Sequence, residues 1–277
     1  MDLHTVGHVW APSHRDELWP MRAGDAVLAG GTWLFSEPQP HLRRLIDLTG
    51  LHWPAVAIDD DGIRLAATCT LTEVSALSAR LRAERPAWVA APLLHRCCAA
   101  LLASPKIWHT ATVGGNICLS LPAGAMISMA TALDGRLGIW RADGRDAVTP
   151  VERFVTGDRT NALGPTDIVR ELLLPAAALR GQVAMRKLAP SALGRSAAVV
   201  IGRRDQPADG GGFVLSVTAS TVRPYVFRFP APPSADDVRA AHDTIPDNAW
   251  TDDAHGDPDW RRAMTLLLAG QVCRELS

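Results

Sequence analysis

Hydrophobic and polar positions change period several times along the chain, and each change marks a new element. D-A-V-L-A-G-G (25–31) is a short apolar strand that runs into a glycine pair. R-R-L-I-D-L-T-G-L (43–51) reads as a second strand. A-V-A-I-D-D-D-G-I-R-L-A-A (55–67) sets Asp-Gly between two apolar runs, the mark of a hairpin. G-R-L-G-I-W-R-A-D-G-R-D-A-V-T (135–149) repeats the device around Ala142-Asp143-Gly144. Helical spacing appears at T-L-T-E-V-S-A-L-S-A-R-L (70–81), where Thr70 and Glu73 make a capping box. W-V-A-A-P-L-L-H-R-C-C-A-A-L-L-A-S (88–104) is helical after Pro92 and ends at Ser104-Pro105, and the helix in 123–135 ends at Asp134-Gly135. Between these two, T-A-T-V-G-G-N-I-C-L (110–119) reads as a β-branched strand interrupted by two glycines.

Beyond Thr166 the texture turns to strands: D-I-V-R-E-L-L-L-P, M-R-K-L-A-P, S-A-A-V-V-I-G, F-V-L-S-V-T-A-S-T-V and Y-V-F-R-F-P, with a Gly-rich break at 208–212. A Pro/Asp-rich stretch (230–248) leads to a closing amphipathic helix, D-W-R-R-A-M-T-L-L-L-A-G-Q-V-C-R-E-L. Strands and helices mix without strict alternation, which predicts an α+β fold divided as 1–53, 54–166 and 167–277.

Charge narrows the partners. Lys and Arg total 28 against 29 Asp and Glu, a net charge of −1, without the basic excess of a nucleic-acid-binding protein. The N-terminus M-D-L-H-T-V-G-H-V-W has no apolar segment of a secretory signal. The apolar stretches at 93–103 and 123–133 fall short of the ~18 residues a membrane span needs. A soluble, cytoplasmic protein is expected. The five cysteines, Cys69, Cys97, Cys98, Cys118 and Cys273, form no C-x-x-C pair, so no zinc or iron–sulfur framework is visible and reduced, mostly buried thiols are expected. Neighbours on one helix, Cys97 and Cys98 do not share a face, so one should be the more exposed.

No metal site is read. His4 and His8 stand four apart with nothing nearby to complete a ligand set, and read as an exposed pair. Asp59-Asp60-Asp61 reads as a solvated turn. No Ser-His-Asp set or carboxylate pair stands out, and no catalytic acid, base or nucleophile is assigned.

The candidate chemistry lies in two glycine pairs. A-G-G-T-W-L (29–34) and T-V-G-G-N-I (112–117) share a plan of strand, Gly-Gly, polar residue (Thr32, Asn116) and apolar residue. Successive N–H groups in such loops form an anion-binding concavity, and two from distant segments could grip a diphosphate from both sides. Each pair could equally be a plain turn, and the residues alone leave both readings open. Neither matches G-x-G-x-x-G or G-x-x-x-x-G-K-[ST].

The spaced pair resembles the two flavin-binding motifs of the medium, FAD-binding subunit of molybdenum hydroxylases, the xanthine dehydrogenase and carbon monoxide dehydrogenase flavoprotein family. D-G-I-R-L-A-A-T-C-T-L-T-E-V, S-P-K-I-W-H-T-A-T-V-G-G-N-I and F-V-T-G-D-R-T-N-A-L-G-P-T-D-I-V-R-E-L-L-L-P extend the resemblance over roughly residues 20–190, with the last ninety matching in outline. It implies a vanillyl-alcohol-oxidase (PCMH-type) FAD-binding fold, in which two α+β subdomains hold an extended FAD and a C-terminal α+β subdomain leans over the flavin. It places Leu28, Ala29, Gly30, Gly31, Thr32, Trp33 and Leu34, with Thr112, Gly115 and Asn116, at the pyrophosphate and ribityl chain. Leu102, Ile107, Ala111, Cys118 and Val169 become apolar walls, Gly124 lies in the similar stretch S-L-P-A-G-A (120–125), and Lys187 sits near the flavin's polar edge. Three departures stand out: Trp33 where the family has Ser, Asp or Glu, Ala125 where it has Asp, and Trp108-His109 where it has Arg-Asn.

By the same resemblance the chain is an electron-transfer subunit of a heterotrimer and hydroxylates no substrate by itself. A large molybdenum-cofactor subunit would hydroxylate a heterocycle or oxidise an aldehyde. A small subunit with two [2Fe–2S] clusters would relay electrons to FAD here, and NAD⁺, oxygen or another acceptor would take them. The alternatives are a standalone FAD-dependent oxidoreductase of the same fold and a degenerate, flavin-poor scaffold subunit.

Overall fold

In the computed structural model, which describes residues 3–191 and 194–277, three larger sheets and a two-stranded pair are joined by helices. The first has three parallel strands, β1 (His8–Trp10), β2 (Asp25–Leu28) and β3 (Arg44–Asp47), in the order β1-β3-β2. The predicted strand 43–51 stops early because the Asp47 carboxylate accepts the Thr49 N–H at 2.9 Å and turns 48–51 into a 3-10 helix. Ile46 of β3 packs with Leu18, Leu48 and Ile168 in a small core beneath this sheet. His8 lies in β1, so its spacing from His4 is not helical, and both are exposed.

The second sheet is antiparallel throughout. Its strands are β4 (Val56–Ile58), β5 (Gly62–Ala66), β6 (Arg136–Trp140), β7 (Ala147–Pro150) and β10 (Ile168–Pro175), in the order β4-β5-β10-β6-β7. Both predicted hairpins form, β4–β5 and β6–β7. Five helices follow β5: α1 (Leu71–Glu84), α2 (Pro92–Ala100), α3 (Pro105–Trp108), α4 (Val113–Leu119) and α5 (Ala125–Ala132). The Thr70–Glu73 capping box is present at the start of α1. Cys97 and Cys98 of α2 are both fully buried, contrary to the expectation that one would be exposed. α2 is covered on two sides, by α1 and α5, and the Cys98 thiol reaches the Leu71 carbonyl of α1. The chain then makes α6 (Val151–Phe154) and the short pair β8 (Val155–Gly157) and β9 (Thr160–Asn161).

After α7 (Ala176–Arg180), the third sheet is an antiparallel meander of β11 (Gln182–Leu188), β12 (Ala198–Arg204), β13 (Phe213–Thr218) and β14 (Tyr225–Phe229). One face packs on α8 (Ala235–Asp243) and α9 (Pro258–Leu276), the predicted closing helix. The other face meets α5, every residue of which is buried. Burying Ser128 and Thr131 there requires partners; they bond Thr218 and Ser216 of β13 at 2.6 and 2.9 Å. Arg203, 3% exposed, ties the layers by pairing with Asp134 and Asp205 and bonding the Ala132 carbonyl. α8 lies inside the Pro/Asp-rich stretch and is started by a Ser234–Asp237 capping box. Among the described residues no helix is long and apolar enough to cross a membrane, and no group of three metal-ligating side chains forms.

Candidate functional site

The two glycine pairs lie side by side. β2 ends at Leu28 and releases 29–36 as a run of tight turns, closed by Phe35 N–H to the Gly31 carbonyl and Ser36 N–H to the Trp33 carbonyl, both 2.9 Å. Gly30 faces the other segment so closely that a Cβ built on it would stand 1.7 Å from the Thr110 carbonyl oxygen. Gly31 has φ +67°, a conformation suited to glycine.

The second pair does not sit in a strand. Thr112 is extended, but its side chain caps a helix, accepting the Gly115 N–H at 3.1 Å, and Val113–Leu119 is α4. What remains of the predicted strand is one bridge between Thr112 and Thr70. Val113 and Gly114 donate to the Cys69 and Ala67 carbonyls at 2.8 and 2.9 Å, which docks the first turn of α4 on the chain leaving β5. That docking uses Gly114, whose Cβ would lie 2.5 Å from the Ala67 Cβ. Gly115 differs: it is exposed, and its Cβ would meet only the Thr112 hydroxyl, at 3.0 Å.

Asn116 has a role inside the protein. Its side-chain oxygen accepts the Met126 N–H at 2.9 Å, satisfying a donor at the start of α5, where the cap residue Gly124 has no side chain to offer. Its amide nitrogen makes no hydrogen bond among the described residues. Ala125, in the first turn of α5, is buried. Burial pushes the half-buried Cys118 thiol up to about 12, so it is a neutral apolar group here.

A third segment, missed from the sequence, joins the other two. Asn161 donates from its amide to the Cys118 carbonyl at 2.8 Å and the Ser120 hydroxyl at 3.2 Å. The Arg159 N–H donates to the Ser120 carbonyl at 3.0 Å, and its guanidinium lies over the Trp33 ring, 4.9 Å from the centroid. Both residues lie in F-V-T-G-D-R-T-N, yet no local pattern singles them out.

The remaining predicted residues are placed as follows. Leu28, Ala29, Thr32 and Leu34 are half-buried around the first pair. Ala111 is buried and its carbonyl accepts the Leu71 N–H at 3.0 Å, and Ile107 is half-buried on α3. Leu102, 62% exposed, lies on the link between α2 and α3. That link borders a cleft of about 390 Å³ lined by Thr72, Ala103, Pro105, Trp108 and His109, with the His109 ring 3.2 Å from the Thr72 hydroxyl. Val169 is buried in β10, opposite Ile139. Lys187 is exposed on β11, which meets α2 through Arg96 to the Met185 carbonyl at 2.9 Å. Gly30, Gly31, Trp33, Thr112, Gly115, Asn116 and Cys118 are thus gathered at one joint, whereas Leu102, Val169 and Lys187 belong to other segments.

The chain matches a known family. Residues 7–177 match the FAD binding domain in molybdopterin dehydrogenase, and the chain belongs to that family. No curated protein sequence matches the chain. Among solved structures, carbon monoxide dehydrogenase from Hydrogenophaga pseudoflava superposes with a TM-score of 0.78 at 19% identity, covering 98% of this chain and 97% of that one. Carbon monoxide dehydrogenase from Oligotropha carboxidovorans gives 0.78 at 16% identity over 100% and 99%. Quinoline 2-oxidoreductase from Pseudomonas putida 86 gives 0.76 at 15% identity over 100% and 98%. The expected α+β FAD-binding fold is therefore present. The exposed face of Gly115, which a Cβ would fill, fits a bound cofactor.

Proposed function

We propose that this chain is the FAD-binding, electron-transfer subunit of a molybdenum hydroxylase complex. The observation that carries the reading is the joint itself: the Gly30–Thr110 approach brings two glycine segments together, and Gly115 beside it is exposed, with only the Thr112 hydroxyl near its Cβ position. Residues 29–34 and Thr112–Asn116 would hold the diphosphate and ribityl chain, with Ala111, Cys118, Ile107, Leu102 and Val169 as apolar neighbours and Gly124 beside them. Lys187 would lie near the flavin's polar edge. When bound, FAD accepts electrons one at a time and gives them up in pairs; the protein supplies binding and tuning. The donors would be [2Fe–2S] clusters in a small partner subunit, fed by a large molybdenum-cofactor subunit, and the acceptor NAD⁺ or oxygen.

Trp33 and the buried Ala125 favour a second reading, a flavin-poor scaffold, because neither offers an oxygen to the ligand. Purification separates the two. A yellow chain that retains FAD, or takes it up with visible flavin absorbance, supports the first reading. A colourless chain that takes up no FAD ends it. Co-expression with candidate large and small subunits and recovery of an iron- and molybdenum-containing complex tests the partners; a free monomer without either metal favours a standalone oxidoreductase.

A further inference from the structure

We infer that Arg159 sets this site's preference for a ligand carrying a diphosphate, with the Trp33 ring as its seat. The inference rests on the FAD reading above. Arg159 touches both glycine-bearing segments, through its N–H to the Ser120 carbonyl behind the second pair and its guanidinium over Trp33 behind the first. Its backbone is held at φ +54°, a left-handed conformation uncommon outside glycine, and the Ser120 it bonds is also left-handed at +54°. Asn161, two residues on, clamps the same helix end through the Cys118 carbonyl and the Ser120 hydroxyl. A fixed backbone therefore carries a side chain that is still 54% exposed.

The charge on that side chain is weakly matched inside the protein. Its nearest carboxylate is Glu37 at 4.0 Å, itself half exposed. Among the described residues, no other Lys or Arg side chain makes a ring, ion-pair or hydrogen-bond contact with 28–34 or 110–120. Backbone N–H groups at glycine loops attract an anion but bring no net charge. A cation would add the net charge that those N–H groups lack, and the planar guanidinium fork matches phosphate oxygens two at a time. Trp33, which has no oxygen to give the ligand, instead holds that fork at the joint by its ring face. The departure at position 33 is thus paired with a cation at 159.

The test compares two flavins that differ in the diphosphate. The full chain, stripped of flavin, is titrated with FAD and with riboflavin, following quenching of flavin fluorescence. Arg159→Ala should weaken FAD binding about 10- to 100-fold while changing riboflavin binding about twofold or less. The loss of FAD affinity on adding salt should be shallower in that variant. Arg159→Lys, which keeps the charge without the fork, should retain part of the FAD preference that Arg159→Gln loses; this pair decides the matter if the alanine variant does not fold. Equal loss for both flavins would make Arg159 a brace only, and no change in either would free it of any role; both results overturn the inference. Wild-type protein that binds neither flavin overturns the FAD reading itself.

Discussion

The two glycine pairs look alike in sequence and differ in what requires them. In the first, Gly30 meets the Thr110 backbone and Gly31 holds a left-handed turn, so both are fixed by the protein's own chain. In the second, Gly114 is needed where α4 docks on Ala67, but Gly115 meets nothing beyond the hydroxyl of its own helix cap. Three glycines are explained by protein neighbours; the fourth meets only the hydroxyl of its own cap, and the proposed function gives it a ligand. A glycine motif is therefore not one signal, because close backbone approach and ligand access use the same residue for different reasons.

Gly30→Ala should break this arrangement most severely. The new methyl would overlap the Thr110 carbonyl, which is backbone and cannot rotate away, so a loss of about 3 kcal/mol or more is expected. Chemical denaturation measures it, and a wild-type midpoint would disprove the contact between the two segments. Gly114→Ala comes next, with about 1–3 kcal/mol lost to overlap with Ala67. Adding Ala67→Gly should recover part of that loss, a coupling that a double-mutant cycle detects. Asn116→Ala should cost about 1 kcal/mol, because the Met126 N–H at the start of α5 loses its acceptor. Asn116→Asp keeps an acceptor oxygen and should hold stability near wild type. If the aspartate variant is as unstable as the alanine one, the side chain is not acting as a cap.

What the chain discloses by itself depends on distance along it. The Asp61-Gly62 and Asp143-Gly144 hairpins and the Thr70–Glu73 cap are legible because every interacting residue lies within a few positions. The glycine motifs are legible by resemblance as a pair, yet the second lies in a helix where its pattern predicts a strand. Its β-branched residues favour extended backbone and its glycines disfavour helix, but docking on the 67–70 segment and the Thr112 cap outweigh both. α8 was hidden in a Pro/Asp-rich stretch because its capping box uses Asp237 in place of the usual Glu or Gln. Arg159 and Asn161 act on residues about forty positions away or more, where no spacing rule reaches.

The smallest expected change in stability carries the sharpest information. Gly115 lies within α4 at ordinary helical backbone angles, where alanine is favoured over glycine by roughly 0.5–1 kcal/mol. Against that gain stands a 3.0 Å approach to the Thr112 hydroxyl, relieved by a shift of a few tenths of an ångström. Gly115→Ala should therefore change stability by less than about 1 kcal/mol in either direction. Its methyl enters the space assigned to the cofactor, so FAD affinity should fall, and further with Gly115→Val, whose branched side chain reaches deeper. Thermal melts without ligand and FAD titration separate the two effects. A variant that melts like wild type and loses FAD places the ligand against this face. If it melts like wild type and keeps full FAD affinity, the open face belongs to no ligand, and the second pair becomes, like the first, a matter of chain packing alone.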